Sequence, residues 1–161
     1  MFRILKSLIV LFIGLHALFY ALQNVANIGA AFGGIAYVMS GADHAPYPET
    51  LFFKSANPLL VWPALALVLI GEFSVAAFGI KGGWDLFAAR KGTTDEFHSA
   101  KSGGLWAAGL AILTWFGLFM AFGGAFFQMW QTEIGAGSLE GAFMFASMSA
   151  VAMLFVYLTE D

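Results

Sequence analysis

The sequence contains no cysteine among its 161 residues, which excludes disulfides, thiolate chemistry and cysteine-ligated iron–sulfur clusters. Charge is scarce as well, because only 11% of the residues are charged, against about 25% in soluble domains. The net charge of -3 comes from scattered residues and provides no basic footprint for nucleic acid. A nucleic-acid-binding protein and a thiol enzyme are therefore excluded first.

What the sequence does contain is apolar: hydrophobic residues make up 60% of it, against about 45–50% in soluble domains. Four apolar stretches approach or exceed the roughly 20 residues that cross a bilayer. The sequence thus predicts an all-α, four-helix transmembrane bundle that forms one integral membrane domain over residues 1–161. The predicted helices cover about residues 3–23, 58–80, 102–130 and 139–158. The first is interpreted as a retained helix, because no small-x-small cleavage site ends its apolar run.

The longest connection lies between the first two predicted helices, over residues 24–57. Its first half is rich in glycine and mildly apolar, and a loosely packed interfacial piece is expected there. Its second half contains Pro46 and Pro48, which rule out a continuous helix. The amides of Gln23, Asn24 and Asn27 suit the headgroup region, so we expect helix 1 to end there.

The distribution of basic residues predicts the orientation. Six of the seven Lys and Arg residues lie at the start of helix 1 or between helices 2 and 3, and only Lys54 lies on the other side. By the positive-inside rule both termini are cytoplasmic, and the longer loop between helices 1 and 2 faces outward. The expected localisation is a bacterial inner membrane, crossed several times.

Glu72 is the one ionisable residue in the apolar stretch from Pro58 to Ile80. A charge at that depth costs about 2.5–3.5 kcal/mol on insertion scales, so Glu72 must be protonated, paired with a polar neighbour or in contact with water. One interpretation is a proton or cation site. The other is a structural carboxyl group that holds two helices together by a hydrogen bond.

His16 lies inside helix 1, and the count of helical rises puts it within side-chain reach of the depth of Glu72. A buried His16–Glu72 pair is therefore a hypothesis, set against a core histidine bonded to a backbone carbonyl. A haem with two histidine ligands needs two imidazoles on opposite faces of one haem. His44 and His98 are in loops, so the chain alone is expected to hold no haem, metal or other cofactor, although a site shared with a partner subunit stays open.

The end of helix 3 combines a glycine pair with bulky side chains. It provides either a docking surface for a lipid, a quinone or a partner subunit, or an interfacial anchor. Its candidate docking residues are Gly123, Gly124, Phe126, Phe127, Gln128 and Trp130.

Several short segments together resemble an uncharacterised family of small integral membrane proteins of proteobacteria, grouped as domain of unknown function 2165 (DUF2165). They are Gln23-Asn24 at the end of helix 1, Tyr37-Val38-Met39-Ser40, Glu72, Trp115-Phe116 and the FGGAFFQMWQ segment. The resemblance covers nearly the whole chain and implies the four-span fold, but it supplies no known activity.

The chain departs from the family pattern at polar positions. Relative to that pattern, Ala125 replaces an acid, Phe126 a tryptophan, Tyr37 a histidine and Met144 an arginine. If those polar residues form a site in the family, this chain has lost much of it. An independent catalyst is therefore less expected than a structural or accessory subunit. The leading hypothesis is a non-catalytic accessory subunit of a larger inner-membrane complex, respiratory or photosynthetic, surrounded by lipid and other integral subunits. The alternative is a small proton-coupled carrier or channel that uses Glu72 and His16.

Overall fold

The structure, a computed structural model, describes residues 1–158, and in that range every regular element is helical. Four helical segments are long and apolar enough to cross a membrane: Phe2–Ala26, Pro58–Ala89, Thr94–Phe126 and Glu133–Leu158. The prediction of an all-helical, four-span protein is confirmed.

The helices are α1 (Phe2–Ala26), α2 (Ile28–Ser40), α3 (Pro58–Ala89), α4 (Thr94–Ala100), α5 (Ser102–Ile112) and α6 (Glu133–Leu158). A π-helix (Leu113–Phe126) continues α5, and a 3₁₀ turn (Met129–Gln131) follows it. The start of α3 follows local rules. The Asn57 side chain accepts a hydrogen bond from the Leu59 amide at 2.9 Å, and Pro58 occupies the first turn of α3.

Several boundaries differ from the predicted ones: the first helix ends at Ala26 rather than at residue 23, and the predicted helix 102–130 is α5 with a π-helix that ends at Phe126. Helix α3 continues nine residues past 80, and α6 begins at Glu133 rather than near residue 139. The predicted interfacial piece is instead the helix α2, of which only Met39 is buried. Residues 28–40 are mostly small or apolar and carry no charge. Inside a bilayer such a segment must satisfy its backbone groups by forming a helix.

We call the end that carries Arg3, Lys6 and Lys101 the basic end, and the end that carries residues 41–57 the loop end. In the half of the bundle nearest the basic end, glycines bring the helices into backbone contact. A Cβ placed on Gly14 would lie 2.5 Å from the Ile80 nitrogen, and one on Gly82 would lie 2.6 Å from the Gly104 nitrogen. Such small residues allow transmembrane helices to approach closely, and here they fasten α3 to α1 and to α5.

The basic end is closed by the ring of Phe97, which is fully buried. The side-chain charges of Arg3, Lys6 and Lys101 lie 5.0, 6.0 and 5.9 Å from its centroid. Arg3 also donates a 2.7 Å hydrogen bond to the Gly92 carbonyl, which ties the start of α1 to the turn before α4. The short helix α4 begins with a capping box between Thr93 and Glu96.

The loop end is held by polar contacts between distant segments. Gln131 accepts a 2.7 Å hydrogen bond from the Tyr47 amide and donates one of 3.0 Å to the Tyr47 carbonyl. The hydroxyl of Thr132 accepts from the Gly135 amide at 3.1 Å and caps the start of α6. A side chain at Gly135 would collide with the Met129 carbonyl, so only glycine fits this tight entry into α6.

Candidate functional site

The carboxyl group of Glu72 has a specific partner. Both of its oxygens accept hydrogen bonds from the Asn24 amide, each at 3.0 Å, and Glu72 is only 1% exposed. The bond joins α1 to α3 across 48 residues of sequence. A buried carboxyl group without a partner would be costly, and the Asn24 amide supplies the hydrogen bond that the structural interpretation of Glu72 requires.

The depth of this pair follows from α3. Glu72 lies ten residues after Trp62 and twelve before Trp84, or about 15 and 18 Å along the helix, and tryptophans mark membrane interfaces. Glu72 is therefore near the middle of its span, and Asn24 lies at the same depth. The expectation that Asn24 lies in the headgroup region is wrong, because the chain continues as α2 beyond it.

The break between α1 and α2 is at this same level. Asn27 leaves helical geometry, with φ of -117° and ψ of 40°, and its side chain donates a 2.9 Å hydrogen bond to the Gln23 carbonyl. Non-helical backbone at membrane depth is tolerated only where other groups satisfy it, as the amide of Asn27 does here. The first span is thus two helices joined close to the Glu72–Asn24 contact.

His16 does not form a hydrogen-bonded pair with Glu72 in the described part of the chain. It lies eight residues before Asn24, or about 12 Å towards the basic end. Its ring packs against Phe145 and Trp115, with centroids 4.2 and 5.6 Å away, and its buried Nε2 has no hydrogen-bond partner within residues 1–158. Counting helical rises along each helix does not predict this separation. The relative register of α1 and α3 is imposed by the contact of Gly14 with Gly79.

A partly open cavity of about 390 Å³ lies on the loop-end side of Glu72, between α2, α3, the π-helix and the start of α6. Its walls are apolar apart from Asn24 at one end and Ser138. A π-helix is rare at this length and is often found at functional sites. Here its wider turn presents Leu118, Phe122 and Gly123 to the cavity.

The predicted docking residues are distributed around this cavity. Gly123 and Phe127 line it, and Gly124 packs against Leu139 of α6. Phe126 stacks on Phe52, with ring centroids 4.0 Å apart. The remaining two are also placed at the loop end: Gln128, in a left-handed conformation with φ of 54°, and Trp130, whose ring meets that of Tyr47 at 5.4 Å.

A small chamber of about 10 Å³ adjoins the cavity at the loop end and shares the walls Val38, Met39 and Phe127 with it. It contains polar groups: His44, Lys54 and Gln128 all line it. His44 is 7% exposed, and its Nε2 has no hydrogen-bond partner among residues 1–158. Burial and the nearby charge of Lys54 lower the pKa of His44 against the smaller, opposing effect of the Asp43 charge.

Two features of this region were missed in the sequence: the role of Asn24 and the cavity itself. The position of Asn24 could have been predicted from the sequence. If residues 28–40 are interpreted as a membrane helix, Asn24 lies inside the bilayer and near the depth of Glu72. No sequence pattern indicated the cavity, because it depends on how four segments distant in sequence pack against one another. Among residues 1–158 the structure brings together no group of three His, Asp or Glu residues that could hold a metal ion.

The four apolar spans, the mid-span polar contact and the break in the first span define the class of this molecule as a multi-pass integral membrane protein. The chain belongs to the DUF2165 family, described as predicted small integral membrane proteins, whose family model matches residues 2–159. No curated protein and no solved structure matches it.

Proposed function

We propose that this chain is a non-catalytic accessory subunit of a larger bacterial inner-membrane assembly, respiratory or photosynthetic, with both termini in the cytoplasm. The observation that carries the proposal is an uncovered glycine face on α2. Gly29 and Gly33 lie one helical turn apart and are exposed, and a Cβ on either would meet no atom within 4 Å.

The contact glycines of α1 and α3 support this interpretation. Gly14, Gly79 and Gly82 each face the backbone of a neighbouring helix of the same chain. Small-residue faces in membranes serve close helix contact, and that of α2 has no helix of the described chain upon it. A transmembrane helix of another subunit is the occupant with matching chemistry.

The test is affinity purification from native membranes in a mild detergent, with Gly29→Leu and Gly33→Leu compared with wild type. Wild type should carry other integral membrane proteins in fixed stoichiometry, and both variants should lose them. Gly137→Leu is the matched control, because a Cβ there also meets nothing within 4 Å but lies on α6. Recovery of wild type only as a monomer or homo-oligomer would contradict the proposal.

A second candidate is a small proton-coupled carrier or channel that uses Glu72 and His16. The observation in its favour is that Asn24, the partner of Glu72, borders the cavity, so a protonation change at Glu72 could reach a bound molecule. The test is pH-driven flux into liposomes. Glu72→Gln should abolish the flux while the protein stays folded, and no flux by wild type would eliminate the candidate.

A further inference from the structure

The size of the cavity limits its occupant. At about 390 Å³ it lies within the roughly 300–1,000 Å³ of small-molecule sites. A membrane-spanning helix, about 10 Å wide and 30 Å long, is far larger than a small-molecule site. The apolar walls suit an extended hydrocarbon chain, which the surrounding bilayer supplies.

The chamber at the loop end adds polar chemistry to the same site. Its volume of about 10 Å³ accommodates a single water-sized group, such as one oxygen atom. His44 offers an unpartnered Nε2 there, from a side chain that is more than nine-tenths buried. A buried imidazole nitrogen without a protein partner indicates that another group completes its hydrogen bond.

Lys54 supplies a positive charge at this chamber. Its ammonium donates a 2.6 Å hydrogen bond to the Pro48 carbonyl, which is uncharged, and no carboxylate of residues 1–158 forms an ion pair with it. The neighbouring acid, Asp43, accepts instead from the Tyr37 hydroxyl at 2.8 Å. The site therefore combines an apolar cavity with an adjoining chamber lined by a lysine, and this combination is complementary to an anionic amphiphile.

We propose that this chain binds one anionic phospholipid, with an acyl chain in the cavity between α2, α3 and the π-helix and an anionic headgroup oxygen at His44 and Lys54. The lipid fills the space that the loop-end half leaves open. The site uses Gly34 rather than Gly29 and Gly33, because Gly34 lines the cavity and the other two do not. It is therefore separable from the proposed subunit contact.

The experiment uses full-length protein, delipidated in detergent, and native mass spectrometry with phosphatidylglycerol or phosphatidylcholine of identical acyl chains. Wild type should retain one phosphatidylglycerol in preference to phosphatidylcholine. Gly34→Leu fills the cavity and should lose both lipids, whereas Gly33→Leu, its neighbour outside the cavity, should retain them. Ala31→Leu, a second cavity-filling variant, covers the case in which Gly34→Leu does not fold.

The headgroup contact is tested by Lys54→Gln, which removes the charge at an exposed position, with thermal melting as the check that the variant is folded. The preference for phosphatidylglycerol should fall about fivefold, the effect of one basic residue at an anionic surface, and Lys54→Arg should restore it. The proposal is overturned if wild type binds both lipids equally, if Lys54→Gln keeps the preference, or if folded Gly34→Leu and Ala31→Leu bind lipid as wild type does. None of these outcomes depends on whether partner subunits co-purify.

Discussion

The two halves of the bundle are built by different means. Near the basic end, glycine and alanine bring α1, α3 and α5 into direct backbone contact, and Phe97 seals the end. Towards the loop end the first span is broken at Asn27, α5 has become a π-helix, and a cavity of about 390 Å³ remains. One half is therefore held by direct contact between helix backbones, whereas the other half leaves a space between its helices. Glu72 and Asn24 lie at the boundary between them.

The largest expected effect is in the tightly packed half. A Cβ on Gly79 would lie 2.5 Å from the Gly14 Cα, and backbone atoms cannot rotate away. We expect Gly79→Leu to destabilise the fold by about 3 kcal/mol or more, through overpacking. The measurements are size-exclusion profile and thermal melting in detergent. Gly109→Leu is the control, because a Cβ there meets nothing within 4 Å; equal melting temperatures for the two variants would remove the contrast between contact and open glycines.

The second-largest loss of stability is expected at the Glu72–Asn24 contact, between the two halves of the bundle. Glu72→Ala leaves the Asn24 amide without its two acceptors, and we expect a loss of about 1–3 kcal/mol in the free energy of unfolding. Glu72→Gln should lose less, because its amide oxygen still accepts from Asn24. Both are measured by thermal unfolding at one detergent concentration. If the alanine variant is as stable as the glutamine variant, the contact does not hold α1 to α3.

A smaller effect is expected at His16, which packs among aromatic rings. His16→Phe keeps the ring contacts with Phe145 and Trp115 and removes a buried nitrogen that has no partner in the described chain. Stability should stay within about 1 kcal/mol of wild type, or rise. A loss as large as that of Glu72→Ala would mean that His16 makes a polar contact essential to the bundle. Retained proton-coupled flux in this variant would remove His16 from the carrier hypothesis.

The smallest effect concerns pH at the loop end. The pKa of His44 is lowered in the fold, so below its ordinary pKa of about 6.5 the unfolded chain takes up a proton that the folded chain does not. Stability is therefore fully present above that pH and declines as the pH falls below it. Thermal melting at pH 7.5 and 5.5 should show a larger acid-induced drop for wild type than for His44→Gln. Equal drops would show that His44 does not contribute.

Much of the span architecture could be predicted, and particular residues show why. The start of α3 follows from Asn57 and Pro58, which are local signals, and its apolar length follows from composition. The extent of α2 could not be predicted in the same way. A glycine-rich segment of thirteen residues is ambiguous by itself, and only the continuation of the first span makes it a helix within the membrane.

The sequence predicted that Glu72 belongs to a polar site, but it did not predict which residue bonds to it. Glu72 stands out because a carboxyl group inside an apolar span needs a partner. Its partner is Asn24 rather than His16, since the register of α1 on α3 is imposed by the contact of Gly14 with Gly79. His16 and Asn24 are about two helical turns apart, a difference that an estimate of depth from sequence does not resolve. A hydrogen bond requires atoms about 3 Å apart, so this difference decides which residue bonds to Glu72.

The sequence by itself determined that this protein lies in a membrane, with four spans and one acid that has to be satisfied, because bilayer thickness and the cost of burying charge act on any apolar chain. Only the tertiary structure decided which amide satisfies that acid, where the first span breaks and which space stays unfilled. Those outcomes depend on the relative register of the helices, and register is set by contacts between residues far apart in the chain.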